Sequence, residues 1–128
     1  MIVIVGGVAS GKRTFARSLG FADEDMADAV LDDRPAIFNL QRLVAERPEP
    51  GRAAELVESL AGKACVICDE VGSGIVPIER AERVAREQTG RLVNLLAAEA
   101  RLVVRMTCGI PVVLKGELPE GLAPGGRA

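Results

Sequence analysis

Apolar residues fall along this chain in two rhythms. Short unbroken runs at Ile2 to Val5 and Ala64 to Cys68 are too brief for a helix and rich in β-branched residues, which predicts buried strands. Leu102 to Thr107 repeats the pattern with Arg105 inside it, predicting a third strand with one exposed position. The second rhythm is helical. Gly11 to about Leu19 reads as a helix closed by Gly20, and Ile37, Leu40, Leu43 and Val44 form a helical stripe with Pro35 at a first helical position. Ala53 to Leu60 is a short helix with Leu56, Val57 and Leu60 inward, and Ile78 to Ala100 a long one interrupted at Gly90. The acidic stretch from Asp23 to Asp33 has neither rhythm.

Pro48, Pro50 and Gly51 break the chain, and a glycine-rich loop runs from Val71 to Pro77. Strands alternating with helices predict an α/β fold, with helices flanking a mainly parallel central sheet. There is no internal repeat. The expected organisation is one domain over residues 1–116 and a flexible C-terminal tail over 117–128, rich in Gly and Pro.

Composition narrows the function. Aromatic residues are limited to Phe15, Phe21 and Phe38, so the core is aliphatic and base-stacking platforms for single-stranded nucleic acid are not expected. A net charge of -2 without a basic run excludes nucleic acid and anionic membranes as partners. No apolar run reaches a membrane span, and Met1 leads straight into the first strand without a basic leader, so a cytoplasmic location is expected. With no histidine in the chain, no imidazole base, ligand or nucleophile is present. Cys65 and Cys68 have the spacing of half a zinc site, yet in a strand they point to opposite faces and read as small buried hydrophobes.

The strongest chemical signal is Gly6-Gly7-Val8-Ala9-Ser10-Gly11-Lys12, which fits the Gly-x4-Gly-Lys core of a phosphate-binding P-loop, with a strand before it and a helix after it. Its glycines let successive backbone N–H groups turn inward as an anion nest. Lys12 spans the β- and γ-phosphates of a nucleoside triphosphate in such a loop. The position after Lys12, where a hydroxyl normally serves Mg²⁺, holds Arg13, and Thr14 follows one helical step later. Gly6 to Thr14 are therefore the candidate nucleotide-binding residues, with Thr14 also a candidate metal ligand.

A second signal is the apolar strand that ends in Asp69-Glu70. A carboxylate there holds Mg²⁺, which makes Asp69 the metal candidate, and Glu70 the candidate for orienting an attacking hydroxyl or completing the metal shell. Lys12 and Glu70 are the catalytic candidates, with Mg²⁺ as cofactor and GTP or ATP as phosphoryl donor. Arg80, Arg83, Arg86 and Arg91 alternate with Glu79, Glu82 and Glu87, which is foremost the pattern of a solvated helix face, with an arginine set for phosphate as the alternative.

From Asp69 onward the chain resembles a known family. Asp69-Glu70-Val71-Gly72-Ser73-Gly74-Ile75-Val76-Pro77 is similar to the signature loop of the cobinamide kinase / cobinamide-phosphate guanylyltransferase family. Arg83, Arg86-Glu87, Gly90-Arg91, Leu96-Ala97, Cys108-Gly109-Ile110-Pro111 and Leu114-Lys115-Gly116 match in order, as do Gly6-Gly7 and Ser10-Gly11-Lys12. The resemblance is faint from Leu19 to Gly62. It implies a RecA-like P-loop domain, a trimeric assembly, and a place in cobalamin biosynthesis. It also implies a kinase that phosphorylates the aminopropanol hydroxyl of (adenosyl)cobinamide with GTP or ATP. Members of the family go on to transfer GMP through a guanylylated histidine. This chain resembles a shortened member without that histidine, which counts against the guanylyl step. A non-catalytic nucleotide-binding member, and a kinase of another small alcohol, stay open as alternatives.

Overall fold

The computed structural model describes residues 1–70 and 79–122. Among them six strands form one sheet in the order β2-β3-β4-β1-β5-β6. The strands are β1 (Ile2–Gly6), β2 (Met26–Asp28), β3 (Ala36–Phe38), β4 (Cys65–Asp69), β5 (Leu102–Thr107) and β6 (Ile110–Lys115). All pairs are parallel except β5 with β6, which is an antiparallel hairpin. The helices are α1 (Lys12–Ser18), α2 (Leu40–Ala45), α3 (Arg52–Leu60) and α4 (Arg80–Glu99). This is the α/β fold with a mainly parallel sheet that the alternation of strands and helices predicts. No described helix is long and apolar enough to cross a membrane.

Parity along the strands builds two cores. Val3, Val5, Ile37, Val66, Cys68 and Val103 point to one face, where Leu40, Leu43, Val44, Leu56, Leu60, Leu92 and Leu96 of α2, α3 and α4 cover them. Ile2, Ile4, Cys65, Ile67, Leu102, Val104 and Met106 point to the other, against Phe15 and Ala16 of α1. Because successive side chains of a strand face opposite ways, a sheet covered on both sides must read as an unbroken apolar run. Ile2 to Val5 does so. Cys65 and Cys68 are buried in opposite cores, and among the described residues no group of three or more His, Cys, Asp or Glu could hold a metal.

Two expectations need correction, at Pro35 and at Gly90, and the unassigned acidic stretch gains its structure. Pro35 opens no helix: Ala36–Phe38 is strand β3, and α2 starts only at Leu40. The Pro35 carbonyl accepts the N–H of Ala64 at 2.8 Å, so sheet pairing with β4 overrides the helical spacing of Ile37 and Leu40. The acidic stretch contains a 3-10 turn at Asp23–Asp25 and strand β2, which pairs with β3. Helix α4 runs through Gly90 without a break, because Thr89 and Leu92 on either side are buried and hold that turn against the sheet. The expected loop from Val71 to Pro77 and the start of the long helix at Ile78 lie outside the described residues. In the proposed tail, Leu118 rests against the α1-side core.

Candidate functional site

The P-loop leaves the C-terminal end of β1, the central strand. Gly6 has φ +155°, and a Cβ there would stand 2.6 Å from the Ser10 Oγ and 2.7 Å from the Met106 carbonyl oxygen, so no larger residue fits. Ala9 takes a left-handed backbone conformation at φ 57° and Gly11 one at φ 94°, the sharp reversals that curl the loop. The tip of the β5–β6 hairpin braces it from outside, where the Gly109 N–H donates to the Ser10 carbonyl at 3.1 Å.

A cavity of about 450 Å³ opens over this loop. Val8, Ala9, Ser10, Gly11, Lys12, Arg13 and Thr14 line one side, with Arg17, Phe38, Asn39, Ile67 and Asp69 on the other. Lys12 is only 7% exposed. Its Nζ donates to the Gly7 carbonyl at 2.5 Å, lies 2.8 Å from Asp69 Oδ1, and is 3.4 Å from Ser10 Oγ. The ammonium thus occupies the hollow of the loop, held by groups that a phosphate can replace. Lys12 and Asp69, distant in sequence, meet because β1 and β4 are adjacent and parallel with Gly6 opposite Asp69.

Asp69 is held from two sides. Its backbone N–H can only donate, which fixes the Gln41 side chain with Oε1 toward it at 3.0 Å and Nε2 toward Asp69 Oδ2 at 3.3 Å. Gln41 Nε2 also lies 3.4 Å from Asn39 Oδ1, and Asn39 Nδ2 donates to Asp28 Oδ1 at 2.7 Å. A polar chain therefore runs Lys12–Asp69–Gln41–Asn39–Asp28 across the C-terminal ends of β4, β3 and β2. That edge is where open parallel sheets receive ligands.

Other expected residues lie differently. Glu70 forms a two-pronged pair with Arg105, at 2.6 Å to Nε and 3.0 Å to Nη2, and does not line the cavity. Its N–H donates to the Gly6 carbonyl at 2.8 Å, fastening β4 to the start of the loop. Arg91 pairs with Glu87 one turn away on α4, both side chains more than half exposed. Arg80, Arg83 and Arg86 share that helix and line none of the cavities around the loop.

Arg13 places its guanidinium over the Phe38 ring, 4.6 Å from the centroid. Arg13, Arg17 and Phe38 also wall a second cavity of about 540 Å³, completed by Asp23, Met26, Asp28, Val30 and Arg34. At its rim, Arg34 beside Asp32 holds that carboxyl below its ordinary range. Sequence reasoning missed Gln41, Asn39 and Phe38. Phe38 and Asn39 close the run Ala36-Ile37-Phe38 as Asp69 closes Ile67-Cys68, but three residues are too few to register as a strand, and nothing local marks Gln41.

The model of the family described as cobinamide kinase / cobinamide phosphate guanyltransferase matches residues 38–114. The matched span runs from Phe38, the last residue of β3, through β4 and β5, and ends one residue short of Lys115 in β6. No curated protein matches the chain. The match covers more than half of the sequence, and the chain belongs to that family of transferases of cobalamin biosynthesis.

Proposed function

We propose that this family member is a nucleoside-triphosphate-dependent kinase whose acceptor is the aminopropanol hydroxyl of a cobinamide-type molecule. The observation that carries the reading is Lys12 Nζ at 2.8 Å from Asp69 Oδ1, inside a cavity walled by a P-loop. The loop's N–H groups would cradle the β- and γ-phosphates, and Lys12 would leave Asp69 to bridge them. Asp69 and Thr14 line the same cavity and supply oxygen donors of the kind that suit Mg²⁺. That ion would supply charge neutralisation at the phosphates. The adjoining cavity offers the acceptor a place beside the γ-phosphate, with Asp28, oriented by Asn39, to receive the hydroxyl proton. Glu70, bound to Arg105, would support the site by holding β4 to the loop.

The kinase half of the family name is favoured over the guanylyl half because this chain has no histidine to carry GMP. Purified protein incubated with Mg·GTP or Mg·ATP and adenosylcobinamide should give the phosphorylated product and no GDP-linked one. A covalent GMP adduct formed from α-labelled GTP would overturn the exclusion of guanylyl transfer. A second reading, nucleotide binding without transfer, draws on Arg13 standing in the hydroxyl position. It predicts tight nucleotide binding with no phosphorylated cobinamide.

A further inference from the structure

We propose that Arg13 does for the bound triphosphate the electrostatic work usually left to a metal ion, so that this chain holds its nucleotide without Mg²⁺. The inference rests on the nucleotide-binding reading above and deepens it: the preferred ligand of the resting site is the free triphosphate anion, and Mg²⁺ is needed for transfer alone.

The charges lining the P-loop cavity set up the argument. Lys12, Arg13 and Arg17 face it, and Asp69 is the one carboxylate among the residues that line it. Both oxygens of that carboxylate are engaged, Oδ1 by Lys12 and Oδ2 by Gln41. Such a site carries excess positive charge before any ion enters, and its natural counter-charge is a polyphosphate.

Arg13 is the cation of this set that remains unspent. Arg17 is neutralised by Asp23 at 2.7 Å, as Arg34 is by Asp32 at 2.6 Å at the rim of the next cavity. The guanidinium of Arg13 instead rests over Phe38, and no carboxylate of the described residues lies within ion-pair distance of it. An aromatic face holds a cation in place without cancelling its charge. A guanidinium stays protonated throughout the accessible pH range and offers a planar fork that matches two phosphate oxygens. It stands next to the phosphate-bridging lysine, where P-loops otherwise place the hydroxyl that serves Mg²⁺. An ion there bridges β- and γ-oxygens, and a forked cation can bridge the same pair.

Titration with N-methylanthraniloyl-GTP, followed by fluorescence, tests this in excess EDTA and in Mg²⁺. Wild-type affinity should differ by less than about tenfold between the two buffers. Arg13→Ser restores the hydroxyl and removes the charge. It should lose about 10- to 100-fold in EDTA and regain most of that in Mg²⁺. Arg13→Gln should lose as much in EDTA, which keeps the test open if the serine variant folds poorly by circular dichroism. Arg13→Lys should retain metal-free binding. Wild-type binding that weakens by more than about tenfold in EDTA overturns the proposal and leaves the P-loop reading standing. So does metal-free binding that survives in the serine and glutamine variants. Absence of binding in both buffers overturns the nucleotide site itself, and this proposal with it.

Discussion

The cavity over the P-loop and the cleft between two helices are similar in size, and of these two the first alone has the makings of a site. The cavity over the P-loop measures about 450 Å³, and the cleft between α3 and α4 about 530 Å³. In the cleft, polar groups are committed to architecture. Gln88 is 5% exposed, and its carbonyl accepts the Ala53 N–H at 2.9 Å, capping α3 from α4. Over the P-loop, Lys12, Asp69, Gln41 and Asn39 arrive from β1–α1, β4 and β3–α2 and satisfy one another. A ligand entering the cleft finds bonds that hold two helices together. A ligand entering the cavity finds bonds among side-chain ends that it can exchange for its own. What separates the two is whether the polar contacts can be traded without unfolding anything.

The sharpest way to break this contrast is Lys12→Ala. Nucleotide affinity should fall about 100-fold or more while circular dichroism stays unchanged, since the charge it removes is the one meant to bridge phosphates. A folded variant with undiminished affinity would sink the exchangeable-contact account. Asp69→Asn comes next. Mg²⁺-dependent turnover should drop by about 100-fold with nucleotide affinity altered by less than about tenfold, because the loop N–H groups that hold phosphate do not depend on the carboxylate. Equal losses in both quantities would assign Asp69 to phosphate binding instead.

On the other side of the contrast, Gln88→Leu leaves a buried N–H at Ala53 without its acceptor. Urea unfolding should show a loss of about 1–3 kcal/mol, and nucleotide affinity should stay within about twofold of wild type. A stability loss below this range would mean that the cleft is not held by that contact. The smallest effect concerns the strand under the cavity. Burial pushes the Cys65 and Cys68 thiols up to about 12, with the Asp69 carboxylate adding to the shift at Cys68. Both stay protonated at pH 8, because thiolate forms only as pH approaches the raised value. Ellman's reagent should therefore modify one thiol per native chain, the exposed Cys108, and three after denaturation. Rapid modification of all three in the native state would show that β4 opens readily beneath the site.

Much of this was legible in the sequence, and the reasons are local. Strands β1 and β4 are buried on both faces, so their residues are apolar regardless of parity and stand out as runs, and β5 does so through Leu102 to Val104 before Arg105 turns to solvent. Helix α3 announces itself by Leu56 and Leu60 one turn apart. The P-loop is legible because its glycines answer to backbone geometry, as Gly6 shows against Met106. Strands β2 and β3 were not legible. Each has three residues, too few for any period to register, and what decides their state is a neighbour far along the chain, β4 for β3 and β3 for β2. Strand β6 has an exposed apolar face, with Ile110 and Leu114 each more than half exposed, and Pro111 within it, which an edge strand tolerates. The reach of Gln41 to Asp69 spans two elements, and no local pattern encodes it.

The position of β1 has a further consequence for how the molecule comes into being. Ile2–Gly6 is made before the strands it pairs with, yet it lies inside the sheet, flanked by Cys65–Asp69 on one side and Leu102–Met106 on the other. Its second ladder cannot close until Met106 has been made, a hundred residues after Gly6, and parallel pairings of such separation are slow to form. The loop that follows β1 is therefore translated early and shaped late. Until β5 is in place, Gly6 lacks the Met106 carbonyl beside it and Ser10 lacks the Gly109 N–H that braces the loop.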